Sequence, residues 1–355
     1  MSLLFSPITL RGLTVRNRAW MAPMCQYSAT DGVVGDWHVV HYGARATGGV
    51  GMVLAEASAV VPEGRISPGD AGLWDDAHVP AWARVVDVVH AAGAAAGVQL
   101  AHAGRKASTP RPWEPGRYLA EADGGWWPVA PSALPFGDER APRELATDEL
   151  GGVVESFAAA ARRALAAGFD TVELHAAHGY LLHQFLSPLS NTRTDAYGGD
   201  LAGRARLLYE VAEAVRAVWP QDKPVLARLS ATDWVSGGWD VEETVQVVKA
   251  LAALGVDLVD VSSGGLDPRQ AITVGPGYQV PLAEAVRSGA GLPVAAVGLI
   301  TEPEQAESVL RDGAADVVLL ARQLLREPSW ALRAAHELGD AIDYWPVQYQ
   351  RGAWR

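Results

Sequence analysis

Gly168-Phe169-Asp170-Thr171-Val172-Glu173-Leu174-His175 sets the pattern from which the fold reads: a glycine stop, a tight turn, then a short apolar run. The same order recurs at Gly255-Val256-Asp257 before Leu258-Val259-Asp260-Val261, and at Gly313-Ala314-Ala315-Asp316 before Val317-Val318-Leu319-Leu320. Each unit reads as the end of a helix, a turn and a buried strand, because glycine suits the left-handed stop that closes a helix. The echo is architectural and not a sequence repeat. Working outward, further apolar runs lie at Ala19–Ala22, Gly51–Ala57, Val98–Ala101, Val225–Leu229 and Val294–Val297, which brings the candidates to eight. Most are continuous, as expected of parallel strands covered on both faces. An open doubly wound sheet would share the alternation; the count of eight favours a closed (β/α)8 TIM barrel.

The segments between the runs carry helix signals. Thr147-Asp148-Glu149 opens an amphipathic stretch ending at Gly168, Asp240 precedes one ending at Gly255, and Glu302-Pro303 starts one ending at Gly313. Acidic and hydroxyl side chains satisfy the free N–H groups of a first helical turn, and proline suits the first position. Before the first run, Ile8-Thr9-Leu10 and Leu13-Thr14-Val15 flank Arg11-Gly12, which predicts an N-terminal β-hairpin plug. Two long βα excursions, from His102 to about Ala146 and from about Ser187 to Gly203, follow strand ends where barrels build their sites. They read as lids or substrate walls, with packing decoration as the alternative.

Composition narrows the function. The chain has 355 residues, which suits one elaborated barrel domain over 1–355. Its formal charge of −12 argues against nucleic acid as a partner. The single cysteine, Cys25, excludes an internal disulfide framework and a cysteine-ligated iron–sulfur cluster. No signal-peptide pattern and no long uncharged apolar window is evident, so a cytoplasmic protein with no membrane segment is expected.

The candidate chemistry clusters at strand ends. His175 and His178 lie in His175-Ala176-Ala177-His178-Gly179-Tyr180 after the fourth run. Zinc binding is weakly supported, since catalytic zinc helices space their histidines four apart beside a glutamate and no further ligand is evident; no metal is expected. Satisfied core histidines are the bland reading. Two imidazoles converging on a substrate oxygen, with Tyr180 as proton donor, is the reading that uses all three residues. Cys25 follows the first strand, with Tyr27 two residues on; a lone cysteine is more often a small buried hydrophobe, but this one sits on the active-site face. Gln99 and Arg228 lie within apolar runs and need partners, either a fixed heteroaromatic ligand or an internal pair. Gly298 ends the seventh run and Ala321-Arg322 the eighth, where barrels commonly bind phosphate.

Taken together, Ala22-Pro23-Met24-Cys25-Gln26-Tyr27, Gln99-Leu100-Ala101-His102-Ala103-Gly104-Arg105-Lys106, His175-Ala176-Ala177-His178-Gly179-Tyr180-Leu181 and Ser190-Asn191 with Arg193-Thr194-Asp195-Ala196-Tyr197-Gly198-Gly199 resemble the old yellow enzyme family of FMN ene-reductases. The closer match is its thermophilic-like bacterial class, to which xenobiotic reductases belong, and the resemblance covers essentially the whole chain. It implies FMN as cofactor, NADPH as hydride donor and enone or nitro compounds as substrates in a ping-pong cycle. It implies that Ala22, Pro23, Met24 and Cys25 line the flavin, Cys25 tuning its potential. Ala57 and Gln99 would hold the ring's polar edge, Arg228 would face N1 and O2, and Gly298, Ala321 and Arg322 would take the phosphate. His175 and His178 would bind the substrate oxygen, Tyr27 would contact the substrate and Tyr180 would deliver the proton. The tail Pro346–Arg351, within about 340–355, would sit at a subunit interface and put Arg351 into a neighbour's site in a homodimer or dimer-built homotetramer. Two departures stand out. Ala321 replaces the family's usual glycine, so a methyl group is expected to crowd the phosphate, and Val297 stands where some relatives carry tryptophan.

Two other functions fit the barrel. A metal-free aldolase or isomerase would need a Schiff-base lysine or a carboxylate base; Lys106 is the lysine near a strand end, and Glu56 and Glu173 lie within strands. A flavin carrier without turnover would not need His175, His178 and Tyr180. The larger iron–sulfur relatives that share the barrel are excluded by length and by the single cysteine.

Overall fold

The computed structural model describes residues 2–354. Its strands are β1 (Ile8–Leu10), β2 (Leu13–Val15), β3 (Ala19–Met21), β4 (Met52–Ala59), β5 (Ala95–Ala101), β6 (Val129–Ala130), β7 (Arg143–Glu144), β8 (Thr171–Ala176), β9 (Val225–Ser230), β10 (Leu258–Ser262), β11 (Val294–Ala296) and β12 (Val317–Leu320). The barrel closes in the order β3-β4-β5-β8-β9-β10-β11-β12, all parallel, with β12 returning to β3. The eight runs expected from sequence are these eight strands. The largest boundary shift is at β5, whose first residues, Ala95-Ala96-Gly97, lack the bulk that marks a strand in sequence.

The helices sit where their signals place them. Asp240 accepts from the Glu243 N–H at 2.9 Å to cap the helix Val241–Ala253, and the helix Pro303–Arg311 begins at its proline. The stretch from Thr147 opens as a 3-10 turn before the helix Leu150–Ala166. Gly168, Gly255 and Gly313 all take positive φ, which a Cβ-bearing residue adopts only with strain.

The β1–β2 hairpin closes the N-terminal end of the barrel. Leu10 and Val15 pack with Trp20, Met52, Leu54, Leu226, Leu258, Ala295, Val317 and Leu319, an interior cluster separate from the shell between strands and helices. Strand side chains alternate with period two, so the next inward positions toward the C-terminal mouth include Arg228 and Asp260. With Gln99 and Glu173 they make a polar layer above the apolar one. Gln99 Nε2 donates to Glu173 Oε1 at 2.7 Å, and Arg228 Nε lies 2.8 Å from Asp260 Oδ2, although its N–H is not aimed along that contact. The internal-pair reading therefore accounts for one amide donor of Gln99 and gives Arg228 a partner in charge. Burial, followed by the Asp260 charge, pushes the Glu173 carboxyl up, while Arg228 draws it back.

Candidate active site

The first segment of the site is set by a bulge. Pairing between β4 and β5 shifts register between Ala55 and Ala57, which leaves Glu56 extra. Buried Glu56 accepts from the Gln26 N–H at 2.8 Å and from the Tyr42 hydroxyl at 2.9 Å, tying down the loop that carries Cys25 and Tyr27. Tyr27 adopts φ 52°, and its carbonyl accepts from Arg111 Nε at 3.0 Å; the Trp113 ring stands edge-on to it at 5.9 Å. Thus the excursion after β5 packs against the Tyr27 loop as a wall.

Burial and the nearby Asp70 and Glu56 charges push the Cys25 thiol well above its ordinary range. It stays a neutral soft contact and not a thiolate. Alkylation of Cys25 by iodoacetamide is expected to keep accelerating about tenfold per pH unit beyond pH 9, since only the thiolate reacts; a rate that levels off below pH 8 would show an activated thiol instead.

The second segment follows β8. His175 and His178 stand edge-on with centroids 5.2 Å apart, and the Tyr180 ring is 4.9 Å from His175. The three residues read together from sequence are together in space. Burial, then the Arg228 charge, lowers both imidazoles well below their ordinary value, so both are neutral. The Ala177 N–H donates to His175 Nδ1 at 3.4 Å, which puts the His175 proton on Nε2. His178 Nε2 lies 2.7 Å from Ser262 Oγ. Ser262 Oγ also lies 3.4 Å from Gln279 Oε1, which accepts from Ser263 Oγ at 2.7 Å, so this chain of polar groups fixes the orientation of the His178 ring. Burial and the Cys25 and Tyr27 side chains hold the Tyr180 phenol far above its normal range, so it is always protonated.

The third segment is a cavity of about 200 Å³ at the ends of β10, β11 and β12. It runs from His178 and Arg228 past Gly298 to Ala321 and Arg322. Gly298 has φ 124°, and a Cβ there would come 2.9 Å from Gln279 Nε2, so the cradle needs glycine. Ala321 stands at the N-cap of the turn that carries Arg322, with φ −107° and ψ −103°, and its methyl group lines the cavity. Arg322 makes no hydrogen bond or ion pair among the described residues. A free guanidinium at a glycine cradle, continuous with a second arginine deeper in the barrel, fits a phosphate-bearing polar ring compound such as FMN.

Arg351 is not brought to this site. It lies in an exposed 3-10 turn, and the segment before it is anchored at the opposite, N-terminal end of the barrel, where the Tyr344 hydroxyl accepts from Asn17 at 2.9 Å and Arg16 stacks on the Tyr344 ring. Sequence reasoning also missed Asp260 and Ser262, which lie within apolar runs, and Gln279; each is recognisable only by the partner it meets.

Comparison with known proteins gives the same direction. The model of the NADH:flavin oxidoreductase / NADH oxidase family matches residues 3–341. The chain belongs to that family. It is 50% identical to an NADPH dehydrogenase of Geobacillus thermodenitrificans over 100% of this chain and 99% of that one. Among solved structures it is similar to the old yellow enzyme homologue of Zymomonas mobilis, with TM-score 0.78 and 29% identity, covering 99% of this chain and 98% of that chain. It is also similar to 2-naphthoyl-CoA reductase, with TM-score 0.86 and 28% identity over 95% of this chain, but spans only 52% of that longer chain. This member of the family is thus an enzyme of the old yellow enzyme type, an FMN-dependent NAD(P)H oxidoreductase. No helix among the described residues is long and apolar enough to cross a membrane.

Proposed function

We propose that this enzyme is an ene-reductase working by a ping-pong cycle on C=C bonds conjugated to a carbonyl or nitro group. One observation carries the reading: two neutral imidazoles, each with one ring nitrogen held by a protein partner, stand beside an always-protonated tyrosine at the mouth of the barrel. FMN, held by the residues named below, would supply the hydride-transfer chemistry between NADPH and the substrate carbon. His175 and His178 donate to the substrate oxygen and hold the negative charge that develops there; neutral donors already aimed need no reorganisation. Tyr180 holds at Oη the proton destined for the α-carbon, and its alignment must offset its weak acidity. Tyr27 bounds the substrate.

The remaining residues serve the cofactor. Ala22, Pro23, Met24 and Cys25 line the ring, with Ala57 and Gln99 at its polar edge. Glu173 accepts from the Gln99 amide N–H, leaving Gln99 Oε1 without a hydrogen-bond partner among the described residues. Arg228 supplies positive charge near the reduced ring, and Gly298, Ala321 and Arg322 receive the phosphate. An anaerobic visible spectrum of the purified protein tests the reading. A flavin band that bleaches with NADPH and recovers with cyclohexenone supports both half-reactions; recovery only in air, with no response to enones or nitroalkenes, would refute the substrate class.

The assembly proposed is a homodimer or a homotetramer built from dimers. Within one chain Arg351 is far from His175, so any role at the site must be in a partner subunit. Truncation before Tyr349 is expected to raise KM for the enone several-fold, about what losing one charged hydrogen bond costs, while leaving FMN bound. Steady-state kinetics with unchanged KM and kcat would remove the tail from the site.

A further inference from the structure

His178 sits on a backbone that resists it. It has φ 58° and is followed by Gly179 at φ 74°, two consecutive left-handed residues. A side chain pays a conformational penalty there, and such a turn persists only where its surroundings over-determine it. Here each of the four backbone polar groups of His178 and Gly179 is bound by a side chain. The His178 N–H donates to Ser230 Oγ at 2.9 Å, and the His178 carbonyl accepts from Lys106 Nζ at 2.8 Å. The Gly179 N–H donates to His183 Nδ1 at 2.9 Å, and the Gly179 carbonyl accepts from Gln184 Nε2 at 2.7 Å.

Two of these partners reach further. Ser230 Oγ also donates to the Gly264 carbonyl at 2.8 Å, and Lys106 Nζ also donates to the Gly265 carbonyl at 2.9 Å. The turn after β8 is therefore stapled on both sides to the loop after β10, the strand whose end carries Ser262, the partner of the His178 imidazole. The two loops are in direct contact: a Cβ on Gly265 would lie 2.6 Å from His178 Cα, and one on Gly179 would strike the Gly265 carbonyl.

We propose that Lys106 and Ser230 are positioning residues that hold His178 in its left-handed conformation against the loop after β10 and so aim its imidazole at the substrate oxygen. This rests on the reading of His178 as an oxyanion donor. It also gives Lys106 a task other than Schiff-base chemistry: its ammonium is committed to two carbonyls, with the rings of Phe136 and Tyr180 4.7 and 5.1 Å away. Neither side chain needs to touch the substrate.

The test is an absorbance titration of the FMN-loaded full chain with para-hydroxybenzaldehyde, a phenol that mimics the substrate oxyanion. Lys106→Met and Ser230→Ala are each compared with the parent and with His178→Ala, alongside FMN content and Tm. The expected result is a Kd at least about tenfold weaker in both staple variants, since small misplacements of a binding group are costly, with FMN content unchanged. Ser230→Ala removes one hydroxyl and keeps the test available should Lys106→Met not fold. Staple variants that bind within about twofold of the parent while His178→Ala weakens binding would overturn the proposal, as would a Kd that rises only in step with FMN loss and falling Tm. A His178→Ala variant with parental affinity would instead overturn the oxyanion reading itself, and the staple's purpose with it.

Discussion

Tyr180→Phe is expected to slow enone reduction by about 10²- to 10⁴-fold, the range that general-acid catalysis contributes. Flavin reduction by NADPH should be nearly intact, because that half-reaction needs no proton at the α-carbon. The variant keeps the ring that packs 4.9 Å from His175 and removes only the hydroxyl, so its effect isolates the proton. Stopped-flow measurement of each half-reaction separates the two steps. Equal losses in both would show that Tyr180 shapes the site without donating. Solvent is the competing proton source; if it reaches the α-carbon freely, the oxidative loss falls to the low end of this range.

His178→Ala should weaken binding of phenols by about 10²-fold, the effect of removing one donor aimed at an oxyanion. Because His178 is neutral, that contribution is a fixed N–H and not a charge, and the loss should be the same at pH 6 and pH 8. Ser262 is coupled to this outcome. The Ser262 hydroxyl 2.7 Å from Nε2 fixes the orientation of the ring, so Ser262→Ala should reproduce part of the loss. Isothermal titration with a phenol at both pH values checks the claim; a loss that grows toward low pH would mean that a charged imidazole had been doing the binding.

Much of the site was legible because it is local. His175, His178 and Tyr180 fall within six residues at the end of one strand, and a strand end in a parallel barrel faces the mouth wherever that strand sits in the order. The same logic placed Cys25, Gly298 and Arg322 on one face. Ala321 lines the cavity beside Arg322, and whether its methyl group crowds a phosphate is set by the ligand's approach and not by sequence pattern. Arg228 and Gln99 were recognised as polar groups in apolar strands, but their partners were not. Asp260 is on the next strand from Arg228, and Glu173 pairs with Gln99 across β5 and β8. The staple was invisible for the same reason: Lys106 and His178 are 72 positions apart, and nothing in the sequence near either announces a left-handed pair.

The sequence by itself determined the eight βα units, their order, the hairpin and the residues that reach the mouth. These follow from hydrophobic period, from helix caps and from glycine stops, all of which act over a few neighbouring residues. Only the tertiary structure decided which polar groups are paired, which imidazole nitrogen each partner holds, and how His178 is held on a backbone it would not adopt alone. Those outcomes depend on barrel closure, which brings β5, β8, β9 and β10 side by side and lets buried side chains supply the hydrogen bonds that water gives the open chain.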